Sequence, residues 1–505
     1  MVLLVLATTT WAQAQFLQQQ IIAGELPDPS IIEVEGIYYA IGSSNDWAPY
    51  YPIYKSVDLK NWEFVNYVFG EKPDWTINSY WAPELYYHND TFYCYYTARR
   101  TDGTSVIGVA TSKDISKGFK DEGEIIAWGK EAIDAFVYEE NNQLYITWKA
   151  YGLNPDKPIQ ILGSQLTDDG LKLKGDAFNV LTADVNNWEK GGMEGQCIIK
   201  NGEYLYMLYS GNACCGSGCD YQVGVARAKT MRGPWEKYNQ NPILTGTEAY
   251  KCPGHGTAIH TKNDWYYVYH AYPDAGFPYL GRTVLLSEIS WNEEGWPFFD
   301  QSAKALAVSE VDGDFTDSFD GKDLNGRWRT NVTEASANVQ LSKDQLIFSD
   351  IKSKVSDNSI SFLGVNPDSD AFTFQTEIKQ PNDLLQGIAI YVTNDNSIGL
   401  GVEGSKIVLW KIGNGKFTEL NSIKLKAKGA IELKAEVLDA HKVNFSYRRG
   451  SGKWIEVPDV LNNTREVVGD NLGWWSWGIK AGIFASKTNN STSKGAAFDS
   501  FSLTE

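Results

Sequence analysis

Concentrated positive charge is missing from this chain. Its 505 residues carry 45 lysines and arginines against 63 aspartates and glutamates, a formal net charge of -18. A surface that binds phosphate needs clustered lysine and arginine, so nucleic acid and anionic membranes are excluded as partners. Long apolar runs are missing too: none approaches the roughly 18 residues of a membrane span, so no span is expected. The first 300 residues show no convincing amphipathic helix. Zinc-type cysteine spacing is also lacking. The six cysteines are Cys94, Cys197, Cys214, Cys215, Cys219 and Cys252, and the cluster from Cys214 to Cys219 has neither paired two-residue spacings nor a nearby histidine. A disulfide stapling that loop is the preferred reading, with connectivity left open.

Disulfides suit an exported protein. Residues 1–15 contain an apolar stretch from Met1 to Ala7 and the small-residue sequence Ala12-Gln13-Ala14, though no basic segment precedes them. They read as an export signal and predict a secreted or periplasmic protein.

What the chain has in quantity is short strands. The stretch Gly192-Met193-Glu194-Gly195-Gln196 heads an apolar strand, and after a turn at Asn201-Gly202 an aromatic-rich strand starts at Tyr204, ten residues beyond Glu194. Asp28 stands ten residues before Tyr38 and Asp134 ten before Leu144, each with a strand and a turn between. Trp81-Ala82-Pro83-Glu84 and Gly254-His255-Gly256 head two further copies. Five copies roughly fifty to sixty residues apart, built of short strands and Gly/Asn/Asp turns, predict a five-bladed β-propeller in which equivalent positions converge on one axis. The propeller is placed at 24–305. Aromatic density drops from Gln301 to Gly313, and beyond it period-two strands such as Phe372 to Ile378 predict a β-sandwich of the jelly-roll kind at 314–505. The fold class is therefore all-β.

Taken singly, Asp28, Asp134 and Glu194 are turn or surface acids. In one phase they meet at a channel mouth, where like charges repel and raise at least one pKa, so a purely structural role becomes costly. Cleavage of a glycosidic bond needs one protonated carboxyl for the leaving oxygen and one carboxylate to activate water. Trp47, Tyr50, Tyr51, Trp75 and Tyr80 occupy loop positions where sugar faces stack on exposed rings. His255 is either a packed histidine or an axial ligand of a cation or ordered water. Arg282 either binds sugar hydroxyls or lies at the surface.

With these residues in place the sequence resembles glycoside hydrolase family 43. The resemblance spans about residues 24–300 and rests on Pro27-Asp28-Pro29, Trp81-Ala82-Pro83-Glu84, Ile133-Asp134, Met193-Glu194-Gly195 and Pro253-Gly254-His255-Gly256. It implies inverting, single-displacement hydrolysis with Asp28 as general base, Glu194 as general acid, and Asp134 tuning the pKa of the acid and orienting it. It also implies that Trp81 and Arg282 shape the sugar subsite; Tyr80 and Phe136 are expected as further sugar contacts beside them. His255 matches an axial histidine that holds calcium in some members, and no cofactor is implied for the chemistry itself. Gln196 and Ala135 depart from the family pattern, which is expected to bear on substrate rather than activity. The C-terminal part resembles the concanavalin-like sandwich appended to many members, which in some of them lends a residue to the active-site rim.

The implied partner is an arabinose- or xylose-containing plant glycan, acted on by a monomer. An exo-acting alpha-L-arabinofuranosidase is the first expectation, with a beta-D-xylosidase or galactan-active exo-glycosidase as the alternative and a non-catalytic sugar-binding propeller as the last. Retaining fructan hydrolases of similar fold would need Arg-Asp-Pro at the middle acid and Glu-Cys at the third, whereas this chain has Ile133-Asp134-Ala135 and Glu194-Gly195.

Overall fold

A computed structural model describes residues 18–152, 157–262, 264–300, 312–426, 429–469, 477–489 and 491–505. The expected export signal at 1–15 lies outside the described residues, as does the linker stretch 301–311. The described chain is all-β, with one 3-10 turn at Ile115–Lys117. None of its helices is long and apolar enough to cross a membrane.

The first 300 residues form successive antiparallel units. The first contains Ser30–Val34, Ile37–Ile41, Tyr50–Ser56 and Glu63–Phe69, hydrogen-bonded in that order. The next three open with Thr76–His88, Glu131–Glu140 and Met193–Asn201. The fifth contains Tyr250–His260, Trp265–Pro273 and Thr283–Trp291, and its fourth strand is Gln19–Glu25 from the other end of the chain, paired antiparallel to Thr283–Trp291. The opening strands adjoin one another in turn, and that of the fifth unit returns to that of the first. Their residues are largely apolar and buried, since each is covered by neighbouring units. The fold thus brings the five sequence motifs together.

Residues beyond 314 build two large sheets that share one core, with a three-stranded sheet of Asn338–Leu341, Leu346–Ser349 and Ala496–Phe498 beside them. One runs Ser361–Val365, Lys480–Ser486, Leu385–Thr393, Asn396–Glu403, Lys406–Gly413 and Lys416–Lys424, and the other centres on Phe372–Ile378 and Ile431–Leu438. Strands of the second sheet alternate buried and less buried residues, because one face meets the core and the other water. Leu385–Thr393 and Lys480–Ser486 are buried on both faces. The outer face of their sheet carries Phe362, Tyr391, Trp410 and Phe484, and Trp47 of the first unit packs into this cluster. Arg329 adds hydrogen bonds to the Ser44 hydroxyl and the Trp47 carbonyl, both 2.8 Å. The sandwich is therefore fixed against the site-bearing units.

Trp328 anchors the second sheet, 1% exposed against Phe315, Phe319 and Phe501, with Nε1 donating to Asp317 Oδ2 at 2.8 Å. Trp328→Ala removes that ring and one of the two hydrogen bonds of the Asp317 carboxylate. It is expected to destabilise the sandwich by about 3–5 kcal/mol, read from its urea unfolding transition.

Candidate active site

The opening strands are irregular where they carry their motif residues. Register shifts fall between Ile133 and Phe136, between Glu194 and Cys197, and around Gly254. Left-handed backbone appears at Asp28 (φ 54°), Asp134 (φ 58°), Gly195 (φ 58°) and His255 (φ 39°). An inserted residue re-aims the side chains beside it, and strain of this kind gathers at functional sites. Gly195 is required as glycine: a Cβ there would lie 2.7 Å from His255 Cγ.

The bulges turn Asp134, Glu194 and His255, and the left-handed backbone just before Ser30–Val34 turns Asp28, into one cavity of about 290 Å³, at the low end for small-ligand pockets. A larger groove of about 580 Å³, lined in part by Gln19, Trp62 and Arg327, has Asp312 as its one carboxylate and so lacks an acid–base pair.

The carboxyl groups of the cavity are held in different states. Burial works against ionisation of Asp28, but Arg282, followed by His255 and His270, outweighs it and keeps the group well below the usual carboxylate range. Arg282 donates to Asp28 Oδ1 at 2.9 Å and the Ser43 hydroxyl to Oδ2 at 2.5 Å. The Asp28 amide donates to His270 Nδ1 at 3.0 Å, and burial, reinforced by Arg282, holds that imidazole neutral. Asp134 is the opposite case. Burial is the main cause that pushes it up to about 7, with the Glu194 charge adding to the effect and His255 opposing it. Its Oδ2 accepts the Gly195 amide at 3.1 Å.

Lys149, which sequence reading missed, pairs with Glu194 at 2.6 Å. The Tyr221 hydroxyl donates to the other Glu194 oxygen at 3.0 Å. Burial disfavours the Glu194 charge, but Lys149 more than compensates and the net direction is down. The Asp134–Glu194 pair thus holds its proton on Asp134 while Lys149 keeps Glu194 ionised. Lys149 and His270 share one sequence signal: each is the lone basic side chain in a mostly buried, aromatic-rich strand.

Of the other predicted site residues, Trp81 and Arg282 line the cavity, and Arg99 stacks its guanidinium over the Trp81 ring at 5.3 Å. Trp81 Nε1 and Arg282 Nε are buried donors with no partner among the described residues, suited to hydroxyl acceptors. Tyr80 and Phe136 are not sugar contacts. Tyr80 is 0% exposed, its ring 4.1 Å from that of Tyr50 and its hydroxyl 2.8 Å from Thr76 Oγ1. Phe136 is buried in the hydrophobic core and is not among the residues that line the cavity. Trp47, Tyr50 and Tyr51 are buried as well, and Trp75 packs on Tyr96, so the expected exposed platform in these loops is absent. Gln196 is corrected also. Its Nε2 donates to the Asp134 carbonyl at 2.6 Å and to Thr147 at 3.2 Å, so it holds an acid in place rather than meeting a substrate.

His255 Nδ1 stands 3.5 Å from Asp28 and 3.6 Å from Asp134. Calcium takes six to eight oxygen ligands. Among the described residues no group of three or more His, Cys, Asp or Glu is arranged to hold a metal, so a calcium at His255 would draw most of its ligands from water.

Two wall elements come from elsewhere. Trp477 of the C-terminal sandwich reaches the cavity, and so do Cys214 and Cys215, which are bonded to each other. Cys219 bonds Cys252, giving the stapled loop the sequence predicts, while Cys94 and Cys197 are buried thiols.

A family model described as glycosyl hydrolases family 43 matches residues 17–297, and one described as beta xylosidase C-terminal concanavalin A-like domain matches 316–504. The non-reducing end alpha-L-arabinofuranosidase BoGH43B of Bacteroides ovatus is 25% identical over 306 residues, 58% of this chain and 55% of that protein. The match thus spans about half the length of that relative. The extracellular exo-alpha-(1->5)-L-arabinofuranosidase ArbA of Cellvibrio japonicus is 28% identical over 297 residues, 51% of this chain and 82% of that protein. The crystal structure of xylan beta-1,4-xylosidase from Bacillus halodurans C-125 superposes with a TM-score of 0.81 at 22% identity, covering 97% of this chain and 100% of that one, a likeness of fold.

Proposed function

The chain belongs to glycosyl hydrolases family 43, and on that basis we propose that it hydrolyses glycosidic bonds by single displacement with inversion. Asp28 is the general base, Glu194 the general acid, and Asp134 tunes and orients the acid. One observation carries this reading: a single cavity sets Asp28, held ionised by Arg282, beside the Asp134–Glu194 pair, in which burial and mutual repulsion favour keeping one proton. Arg282 and Ser43 orient Asp28 so that it takes a proton from water as the water attacks the anomeric carbon. On the other side the proton held by the Asp134–Glu194 pair passes to the departing oxygen. A leaving-group oxygen against Glu194 competes with Lys149 for the carboxylate and so favours its protonated form.

The units before residue 300 are proposed to close as a five-bladed propeller. The ring of adjoining opening strands supports this, and so does the completion of the fifth unit by the N-terminal strand, which carries the catalytic domain back to Gln19. The favoured substrate is a non-reducing terminal alpha-L-arabinofuranoside, as the small cavity and the arabinofuranosidase relatives suggest. A beta-D-xyloside is the second reading, favoured by the C-terminal match to beta xylosidases. Secretion is proposed with it, since the relative ArbA is named extracellular.

The test is hydrolysis of aryl alpha-L-arabinofuranoside and aryl beta-D-xyloside, with the first-formed anomer followed by NMR. Inverted product is expected, and a retained anomer would refute the mechanism. A pH profile probes the acid pair. A general acid works while protonated, so activity falls as pH rises through its pKa. Lys149 favours the ionised pair, and Lys149→Met therefore raises that pKa. The alkaline limb of kcat is expected to move upward by about 1–3 pH units, the usual effect of one adjacent opposite charge.

A further inference from the structure

One part of the cavity wall takes no part in proton transfer. Between Tyr204–Gly211 and Gln222–Ala228 runs the loop 212–221, whose adjacent residues Cys214 and Cys215 are joined by a disulfide and line the cavity beside Glu194. The loop is held on several sides. Cys219 is bonded to Cys252 in an opening strand, and the Gly216 amide donates to the Tyr272 hydroxyl at 3.1 Å. The Asp220 amide donates to the Ala213 carbonyl at 2.9 Å, and the Asn212 side-chain amide to the Asp220 carboxylate at 2.8 Å. Tyr221, which holds Glu194, closes it.

A disulfide between sequence neighbours closes both side chains into one small ring. Neither has rotamer freedom left to lose when a ligand arrives, unlike two free thiols. Its sulfurs carry no charge and no strong donor, and they offer a soft, polarisable surface. Part of the remaining wall is polar, through Asp28, Asp134, Glu194, Lys149 and Arg282. A sugar ring has hydroxyls at its edge and C–H groups on its faces. A cavity that reads the edge with polar groups needs an apolar surface to seat a face, and beside Trp81, Ile133 and Trp477 the disulfide is the part of that surface closed into a covalent ring.

We propose that the Cys214–Cys215 disulfide is a fixed platform for the C–H face of the pentose ring in this cavity and a determinant of which glycoside the enzyme prefers. The proposal rests on the glycosidase reading above. Its test compares wild type with Cys214→Ser/Cys215→Ser and with Cys214→Ala/Cys215→Ala on the two aryl glycosides, together with calorimetric binding of free L-arabinose and D-xylose and a thermal melt. The expected result is a KM raised about tenfold with kcat within about twofold, parallel weakening of pentose binding, and a melting temperature near that of wild type. A loop that collapsed would carry Tyr221 away from Glu194 and lower kcat, so the split separates the platform from loop structure. Unchanged KM and pentose binding in both variants would overturn the proposal, and so would a lowered kcat at unchanged KM. If wild type turns over neither glycoside, the glycosidase reading falls by itself and pentose binding decides: tighter binding by wild type than by the variants keeps the platform, and no binding by wild type overturns it.

Discussion

Asp28→Asn is expected to lower hydrolysis of both aryl glycosides by about 10²–10⁴, the usual worth of a general base, with the loss in kcat rather than KM. Asparagine is the informative replacement because it keeps the shape of the side chain and tolerates the left-handed backbone at this position, φ 54°. What it loses is the charge that accepts a proton from water. The same charge balances Arg282, buried at 4% exposure. Breaking a buried pair by removing one partner costs about 3–5 kcal/mol, so a lowered melting temperature should accompany the loss of activity. Activity is therefore measured well below the melting transition of the variant. Full turnover by folded Asp28→Asn would remove Asp28 from the reaction. The wild-type base should stay ionised through the mildly acidic range, because Asp28 is held well below ordinary carboxylates and loses its charge only in strong acid.

Glu194→Gln should separate leaving groups. A glutamine oxygen still accepts from Lys149 and the site keeps its shape, but the amide gives no proton to the departing oxygen. A sugar leaving group needs that proton, and its release is expected to slow by about 10²–10⁴. A nitrophenolate needs little help, so the nitrophenyl glycoside should lose far less. Both rates are measured on one variant preparation, and their ratio is the readout. Equal losses on the two substrates would point to Glu194 as a binding group. The alkaline limb assigned to the Asp134–Glu194 pair should also change form, since Asp134 then titrates without the repulsion of its neighbour. Removing that repulsion favours ionised Asp134 and lowers its pKa.

Much of the site was legible in the chain. Asp28, Asp134, Glu194, His255 and Trp81 follow from motif and phase and Arg282 from the family resemblance, and all six line one cavity. Phase was a sound guide because strands joined by tight turns repeat at fixed length, so equivalent residues arrive at equivalent places. Orientation was harder. Tyr80 precedes Trp81 and Phe136 follows Asp134 by two, but register shifts at both places break the simple alternation, sending Tyr80 and Phe136 into the core. Gln196 was misread for the same reason: beside the bulge at Glu194 its side chain turns inward to the Asp134 carbonyl.

The sequence by itself determined the all-β character, the series of motif-headed units, the three acids that share a phase and the sandwich beyond them. Those follow from period-two patterning, turn chemistry and local spacing, all encoded within a few dozen residues. The tertiary structure alone decided the rest. It pairs Gln19–Glu25 with Thr283–Trp291, sets Lys149 on Glu194, brings Trp477 from the sandwich to the cavity, and joins Cys214 to Cys215 rather than to a distant partner. Most of these depend on which surfaces meet after the chain has closed. Protonation states follow too, because burial and neighbouring charge, supplied by residues far apart in the chain, decide whether a carboxyl such as Asp28 or Asp134 keeps its proton.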